Sequence, residues 1–72
     1  MTYTITEHVA TISTSGSWAL ELNLVSWDGR TPKYDLRKWS ADHSKMSKGI
    51  TLTEDELAGL LTAITPLLNT EF

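Results

Sequence analysis

Two tryptophans and two basic residues occupy odd-numbered positions in the middle of the chain. Trp27 precedes a turn dipeptide, and Lys33, Arg37 and Trp39 follow that dipeptide. Because alternate residues of a β-strand point to one face, these side chains would share a surface in an extended segment. Aromatic rings can stack on unpaired nucleobases while neighbouring cations follow the phosphates, and neither contact requires a particular base order. The spacing therefore predicts a binding surface for single-stranded nucleic acid.

The charge distribution supports this prediction although the total charge does not. The formal net charge is −3, whereas sequence-independent binders of nucleic acid draw affinity from neutralised phosphates and are usually basic. The basic residues all lie in one central segment that holds only two acids, Asp35 and Asp42. These basic residues are Arg30, Lys33, Arg37, Lys38, Lys45 and Lys48. Lys45 and Lys48 would extend the phosphate track from a loop. The alternative is that the basic residues only solvate a sheet edge.

Each of these side chains also has a purely structural interpretation. Arg37 would lie opposite Glu21 in a paired sheet, so the two could form an exposed ion pair that contributes little to stability. Trp27 and Trp39 could cover a sheet margin or a subunit contact, since tryptophan is usually largely buried. Trp18 shares a face with leucines and is assigned to the core. The joint occurrence of two tryptophans and a basic cluster favours the binding surface.

Four segments have the composition of β-strands. The predicted strands cover residues 6–13, 17–27, 31–39 and 48–52, with the clearest two-residue alternation in the second. A serine-rich cluster ending at Gly16 separates the first two, and Asp28-Gly29 is a typical hairpin dipeptide. The inward face of the first strand remains ambiguous.

The hairpin register can be predicted from the matching of apolar residues. A two-residue loop would place two leucines of the second strand opposite charged residues of the third. One additional residue, as a longer loop or a bulge near Pro32, pairs Leu24 with Tyr34 and Leu22 with Leu36. We therefore expect the additional residue, with the tryptophans on the opposite face.

The last third of the chain predicts one helix. Thr53 and Glu56 form a capping box, and acids in the first turn suit the helix dipole. Pro66 either ends this helix near Thr65 or kinks it. The apolar side chains that share one helix face are Leu57, Leu60, Leu61, Ile64 and Leu68. The predicted fold class is α+β, a four-stranded antiparallel sheet followed by one C-terminal helix, forming a single domain over residues 1–72.

A domain of this size leaves much apolar surface uncovered, and the sequence predicts what compensates. There is no cysteine for a disulfide, and His8 and His43 lack the spacing of zinc ligands. Self-association into a homodimer is the remaining way to stabilise the domain. The N-terminal segment has no signal-peptide pattern and no stretch is long enough to cross a bilayer. We expect a soluble cytoplasmic protein with no membrane partner, no metal and no cofactor.

The residue patterns of common enzymes do not occur in the sequence. It has no cysteine nucleophile, no Gly-x-Ser-x-Gly elbow, no Ser-x-x-Lys pattern and no glycine-rich phosphate loop. Asp42 and His43 are adjacent, but adjacency in sequence is not catalytic geometry. We assign that loop to the solvated surface and expect a protein that is not an enzyme.

A longer motif adds a resemblance to a known family. The segment Lys33-Tyr-Asp-Leu-Arg-Lys-Trp39, a lysine-bearing loop and Lys48-Gly-Ile-Thr-Leu52 before an acid-capped helix resemble the positive cofactor four (transcriptional coactivator p15) family. The likeness covers about residues 5–64, and the compact form is similar to the small bacterial branch. It implies a homodimer with helices packed at the interface and curved sheets facing single-stranded DNA. The nucleic-acid-binding residues that it implies are Trp27, Arg30, Lys33, Arg37, Trp39, Lys45 and Lys48.

The expected function is sequence-tolerant binding of single-stranded DNA by a homodimer, in transcription regulation, replication or repair. RNA is an alternative partner, because nothing in the sequence reads a 2′-hydroxyl. A protein-interaction dimer without a DNA role is the second alternative.

Overall fold

The computed structural model of the chain describes residues 2–68. Four strands form one antiparallel sheet in the order β1-β2-β3-β4, and a helix follows. The elements are β1 Tyr3–Ser15, β2 Trp18–Trp27, β3 Lys33–Ser40, β4 Ile50–Leu52 and α1 Glu54–Leu68. The predicted α+β fold, with a sheet followed by one helix, is confirmed. Within residues 2–68, no helix has the length and apolar character needed to span a membrane.

The register of the central hairpin matches the prediction. Leu22 pairs with Leu36 and Leu24 pairs with Tyr34. At the tip, Asp28 and Gly29 both have positive φ angles, 51° and 74°, and the Arg30 amide donates to the Trp27 carbonyl at 3.0 Å. This tight turn of the primed type agrees with the twist of the flanking strands. The connection carries the predicted additional residue, because Val25 rather than Leu24 lies opposite Lys33.

The element boundaries differ from the predicted ones where local chemistry intervenes. β1 begins at Tyr3 rather than at residue 6 and pairs with β2 through three register shifts, so no single alternation could define its inward face. β3 begins at Lys33, directly after Pro32, which cannot donate to a sheet ladder. The helix continues through Pro66 to Leu68.

The capping box at the start of α1 is formed as predicted. The Thr53 amide donates to Glu56 Oε1 at 2.8 Å, and the Glu56 amide donates to Thr53 Oγ1 at 3.1 Å. These two bonds satisfy amides that lack partners at a helix N-terminus. Apolar side chains of α1 that follow this cap, Leu57, Leu61 and Ile64, line a cavity together with Leu22 and Leu36 of the sheet.

The two sheet faces are buried differently from the prediction. We call the face that carries Leu22 and Leu36 the leucine face, and the face that carries Val25 and the two tryptophans Trp27 and Trp39 the tryptophan face. On the leucine face, which α1 covers in part, Leu22 and Leu36 are half-buried, as is Trp18. On the tryptophan face, Val25 and Trp39 are completely buried. The prediction of an open tryptophan face is therefore wrong for its central part.

The cover on the tryptophan face comes from the start of β1 and from the β3–β4 connection. The Tyr3 ring lies 5.3 Å from the Trp39 ring, and the His43 ring lies 5.4 Å from it on the β3–β4 connection. Met46 forms an isolated bridge with Trp39. The sequence did not predict this burial for two reasons. The predicted first strand began at residue 6 and left out Tyr3, and strand periodicity does not show where the β3–β4 connection folds.

Candidate nucleic-acid interface

An open cavity at the β2–β3 hairpin brings together an aromatic ring and several cations. Its volume is about 400 Å³. The hairpin contributes Trp27 and Arg30, β3 contributes Lys33 and Arg37, and β4 contributes Thr51, which pairs with Asp35 across the ladder. Asp28 and Thr31 complete the lining. Arg30 and Lys33 are exposed, so their charges are available to a phosphate at the rim.

Arg37 lies at the inner wall of this cavity and is held by a buried acid. Its Nε donates to Asp35 Oδ1 and its Nη2 to Asp35 Oδ2, both at 2.7 Å. The Asp35 side chain is fully buried and that of Arg37 is 13% exposed. The cross-strand pair with Glu21 predicted as an alternative is not formed, although Glu21 and Arg37 do face each other in register. Asp35 lies two residues away on the same strand face and matches the guanidinium fork bidentately.

Trp27 is packed against Arg37 on the cavity wall. The Arg37 Cζ atom lies 4.8 Å from the centroid of the Trp27 ring, which is a cation–π distance. The Tyr3 ring approaches Trp27 at 5.9 Å with a tilt of 50°. Trp27 remains half-buried, so part of the ring is available to a base. Its Nε1 is buried and has no hydrogen-bond partner within residues 2–68.

Trp39 has different surroundings from Trp27. It is completely buried beneath the rings of Tyr3 and His43. In this arrangement Trp39 has no free face on which a base could stack. Both tryptophans were predicted to lie on the binding surface. In the structure, Trp27 lies at the cavity, whereas Trp39 lies in the core.

Tyr3 is a component of this surface that the sequence reasoning missed. Its ring touches both tryptophans, and its hydroxyl donates to the His43 carbonyl at 3.1 Å. The available signal was the alternation of Tyr3 and Ile5 with threonines at the beginning of the chain, which extends β1 toward the N-terminus.

The loop lysines lie on the β3–β4 connection, where both are exposed. The backbone of Lys45 is held by Ser40. The Lys45 amide donates to Ser40 Oγ, and the Lys45 carbonyl accepts from the Ser40 amide, each at 3.0 Å. The Ser44 hydroxyl and amide, with the Ser40 hydroxyl, hold the pKa of Asp42 at about 2. This hydrogen-bonded turn fixes the path of the connection and with it the position of Lys48.

Gly49 allows this connection to lie directly on β3. A Cβ atom at position 49 would collide with the Cβ of Arg37 and with the carbonyl oxygen of Leu36. The connection also supplies two acceptors to Arg37 Nη1, which lies 3.3 Å from Met46 Sδ and 3.4 Å from the Ser47 carbonyl oxygen. Met46, Ser47 and Gly49 of the connection therefore pack against Arg37.

A second polar cluster lies beyond the Arg37–Asp35 pair on the tryptophan face. His43 Nε2 lies 3.0 Å and 3.1 Å from the two carboxylate oxygens of Glu21, and Asn23 Nδ2 donates to Glu21 Oε1 at 3.0 Å. His8 Nδ1 lies 2.7 Å from Asn23 Oδ1. Asn23 is fully buried and Glu21 is 6% exposed. His43 is thus half-buried, and its assignment to the solvated surface is wrong.

The environment of Glu21 changes its acidity but does not make a metal site. Burial raises the pKa of Glu21, but hydrogen bonds from Asn23 and His43 and the charges of His43 and His8 outweigh it, so that the pKa is lowered. Within residues 2–68, no group of three histidine or carboxylate side chains is arranged to hold a metal ion. The signal that could have identified this cluster was the alternation of Glu21, Asn23 and Val25 in β2.

Comparison with known proteins agrees with this geometry. The sequence model described as Transcriptional Coactivator p15 (PC4) matches residues 15–63, which include β2, β3, β4 and most of α1. An uncharacterized protein of Treponema pallidum (strain Nichols) is 54% identical over 59 residues, which cover 81% of this chain and 69% of that protein. The chain belongs to the Transcriptional Coactivator p15 (PC4) family.

Proposed function

We propose that this protein binds single-stranded DNA with little sequence preference, as a non-catalytic homodimer that supports transcription regulation, replication or repair. The observation that carries the proposal is the hairpin cavity, where Trp27 meets the exposed Arg30 and Lys33. Membership of the p15 family supports nucleic-acid binding as the general class. A cytoplasmic location is part of the same proposal.

The proposed contacts divide between stacking and phosphate neutralisation. A base stacks on the free part of the Trp27 ring, and such contacts contribute about 1–3 kcal/mol each. The exposed cations Arg30, Lys33, Lys45 and Lys48 follow the phosphates. Trp39 supports the surface from the core, because its ring is covered. This division predicts tolerance of base order, since every base offers a face for stacking.

The homodimer is supported by the apolar surface on the helix side of the sheet. A cavity of about 430 Å³ between the leucine face and α1 is lined almost entirely by apolar side chains. Leu60, Leu61 and Leu68 of α1 are 41%, 64% and 60% exposed. Contiguous exposed apolar surface of this kind marks an interaction site. A second copy packed helix to helix would cover it and would place two hairpin cavities on one particle.

One titration tests the binding proposal. Tryptophan fluorescence is followed while oligo-dT, a matched duplex or a single-stranded RNA is added at two salt concentrations. We expect quenching by oligo-dT that weakens with salt, and weak quenching by the duplex, whose bases are already stacked. Absence of binding to oligo-dT would refute the proposal. Tighter binding of RNA than of oligo-dT would favour the RNA alternative.

A further inference from the structure

The guanidinium group of Arg37 is occupied by the protein itself. Both Nε and Nη2 donate to the Asp35 carboxylate at 2.7 Å, and Nη1 faces Met46 Sδ and the Ser47 carbonyl at 3.3 Å and 3.4 Å. All three nitrogen atoms therefore have a partner in the folded chain. A phosphate would have to compete with a buried, bidentate carboxylate, which is the stronger kind of charge-assisted hydrogen bond.

The charge of Arg37 is also offset where it lies. Asp35 carries the opposite charge at ion-pair distance and is completely buried. The pair is neutral as a unit, so its field at the position of a phosphate is small. Arg30 and Lys33 at the rim of the same cavity are exposed, and they are the cations better placed to release counterions from DNA.

The contact that Arg37 makes outward is with an aromatic ring. Its guanidinium lies 4.8 Å from the Trp27 centroid, and Gly49 packs against its Cβ. The side chain is thus fixed at its base by the β3–β4 connection and at its head by Asp35. A fixed planar cation against one side of the indole restricts how Trp27 can turn.

We infer that Arg37 is a positioning residue, which holds the Trp27 ring ready to stack on a base and does not itself neutralise a phosphate. This inference rests on the proposed function, because stacking on Trp27 is the step that it serves. It predicts that loss of Arg37 changes affinity through Trp27 and leaves the salt dependence of binding intact.

The discriminating variant removes both charges of the pair, Asp35→Asn with Arg37→Gln, so that no buried carboxylate is left unpaired. Lys33→Ala is the matched control for a phosphate contact in the same cavity. We call this double variant the neutral pair, and we expect it to bind oligo-dT at least about 5-fold more weakly than the unchanged protein. A 5-fold loss corresponds to about 1 kcal/mol, the lower end of the contribution of one stacked base. The slope of log affinity against log salt for the neutral pair should equal that of the unchanged protein, whereas Lys33→Ala should make this negative slope less steep by about 0.7. A slope that becomes equally less steep in both variants would overturn the inference.

A double-mutant cycle tests whether the effect passes through Trp27. The double variant Asp35→Asn/Arg37→Gln should reduce affinity at least about 5-fold when Trp27 is present, but less than about twofold in a Trp27→Ala background. The reason is that substitutions of interacting residues do not have additive effects. Equal losses in both backgrounds would overturn the inference. If the neutral pair fails to fold by circular dichroism, Arg37→Lys takes its place in the cycle with the same expectation, since lysine lacks the planar fork.

A measurement without DNA separates this inference from the proposed function. The indole Nε1–H signal of Trp27 is assigned in an NMR spectrum by its loss in Trp27→Ala. We expect it to shift in the neutral pair or in Arg37→Lys and to stay in place in Lys33→Ala. An unshifted signal would refute the Arg37–Trp27 contact even if oligo-dT binds. Failure of the unchanged protein to bind oligo-dT would refute the proposed function. The indole signal of Trp27 would still report on the Arg37–Trp27 contact in that case.

Discussion

Glu21 and Arg37 lie directly opposite each other on β2 and β3, but each forms its close contacts with other side chains. Arg37 is paired with Asp35 at 2.7 Å, whereas Glu21 is bonded to Asn23 and His43. The tryptophan face therefore carries two adjacent polar clusters rather than one cross-strand ion pair. Their separation allows each cluster to be tested by a variant that leaves the other in place.

The Glu21 cluster predicts an acid-dependent contribution to stability. Burial raises the pKa of Glu21, but its partners lower it overall. A carboxyl whose pKa is lower in the folded state stabilises the fold above its unfolded pKa of about 4.3. This contribution is lost as the pH falls through the folded pKa. Glu21→Gln should therefore be less stable than the unchanged protein at pH 7, and the difference should narrow below about pH 4.

Urea denaturation at a fixed protein concentration from pH 3 to pH 7 measures this difference. Glu7→Gln is the matched control, because Glu7 is an exposed carboxylate on β1. A stability difference for Glu21→Gln that stays constant across the acid range would contradict the prediction.

The different burial of the two tryptophans predicts that their substitutions act on different properties. Trp39→Ala removes a completely buried ring and should lower the free energy of unfolding by about 3–5 kcal/mol. Trp27→Ala removes a half-buried ring and should weaken oligo-dT binding by about 1–3 kcal/mol. Chemical denaturation and fluorescence-independent binding, such as anisotropy of a labelled oligo-dT, measure the two effects. Unchanged stability of Trp39→Ala would show that its ring is not part of the core.

The sequence predicted those features that depend on neighbouring residues. The Leu22–Leu36 register followed from matching apolar residues, and the Thr53–Glu56 capping box from a local motif. Burial of Trp39 depends on Tyr3 and on the β3–β4 connection, which lie far from it along the chain or outside the strands. His43 reaches Trp39 through a left-handed backbone with φ of 60°, a conformation uncommon for a residue other than glycine.

Some features of the candidate site likewise follow from the strand pattern, whereas others depend on distant parts of the chain. The period of two placed Lys33, Arg37 and Trp27 on one sheet face, and the hairpin cavity contains all three. The pairing of Arg37 with Asp35 instead of Glu21 could not be predicted from register alone. Glu21 is instead hydrogen-bonded to His43, a loop residue whose position strand register does not define.

Gly49 predicts a steric requirement at the contact between the β3–β4 connection and β3. In Gly49→Ala the added methyl group meets Arg37 and the backbone oxygen of Leu36. We expect a loss of about 1–3 kcal/mol in the free energy of unfolding, together with weaker oligo-dT binding. Gly59→Ala in α1 is the control, because nothing lies within 4 Å of its added methyl. It should raise stability by up to about 1 kcal/mol. Equal effects of the two substitutions would be inconsistent with the close packing at Gly49.

The lysines of the β3–β4 connection predict separate electrostatic contributions to binding. Lys45→Ala and Lys48→Ala should each make the negative slope of log affinity against log salt less steep by about 0.7. Lys38→Ala is the control of equal charge, because Lys38 pairs with Leu20 on the other sheet face. Salt titrations of oligo-dT binding measure the slopes. A slope change in Lys38→Ala as large as in the loop variants would indicate a general charge effect rather than a phosphate track.

The exposed leucines of α1 predict that a single substitution can separate the two subunits of the proposed dimer. Leu61 is 64% exposed and lines the apolar cavity against the sheet. Leu61→Glu would place a charge in the interface, where an unpaired charge is costly to bury. Thr62→Glu is the control, because Thr62 is the next residue of α1, is exposed, and does not line that cavity. Sedimentation at micromolar concentration should give a dimer for the unchanged protein and for Thr62→Glu, and a monomer or unfolded chain for Leu61→Glu. A folded monomer of the unchanged protein, or an intact dimer of Leu61→Glu, would show that α1 is not the subunit interface.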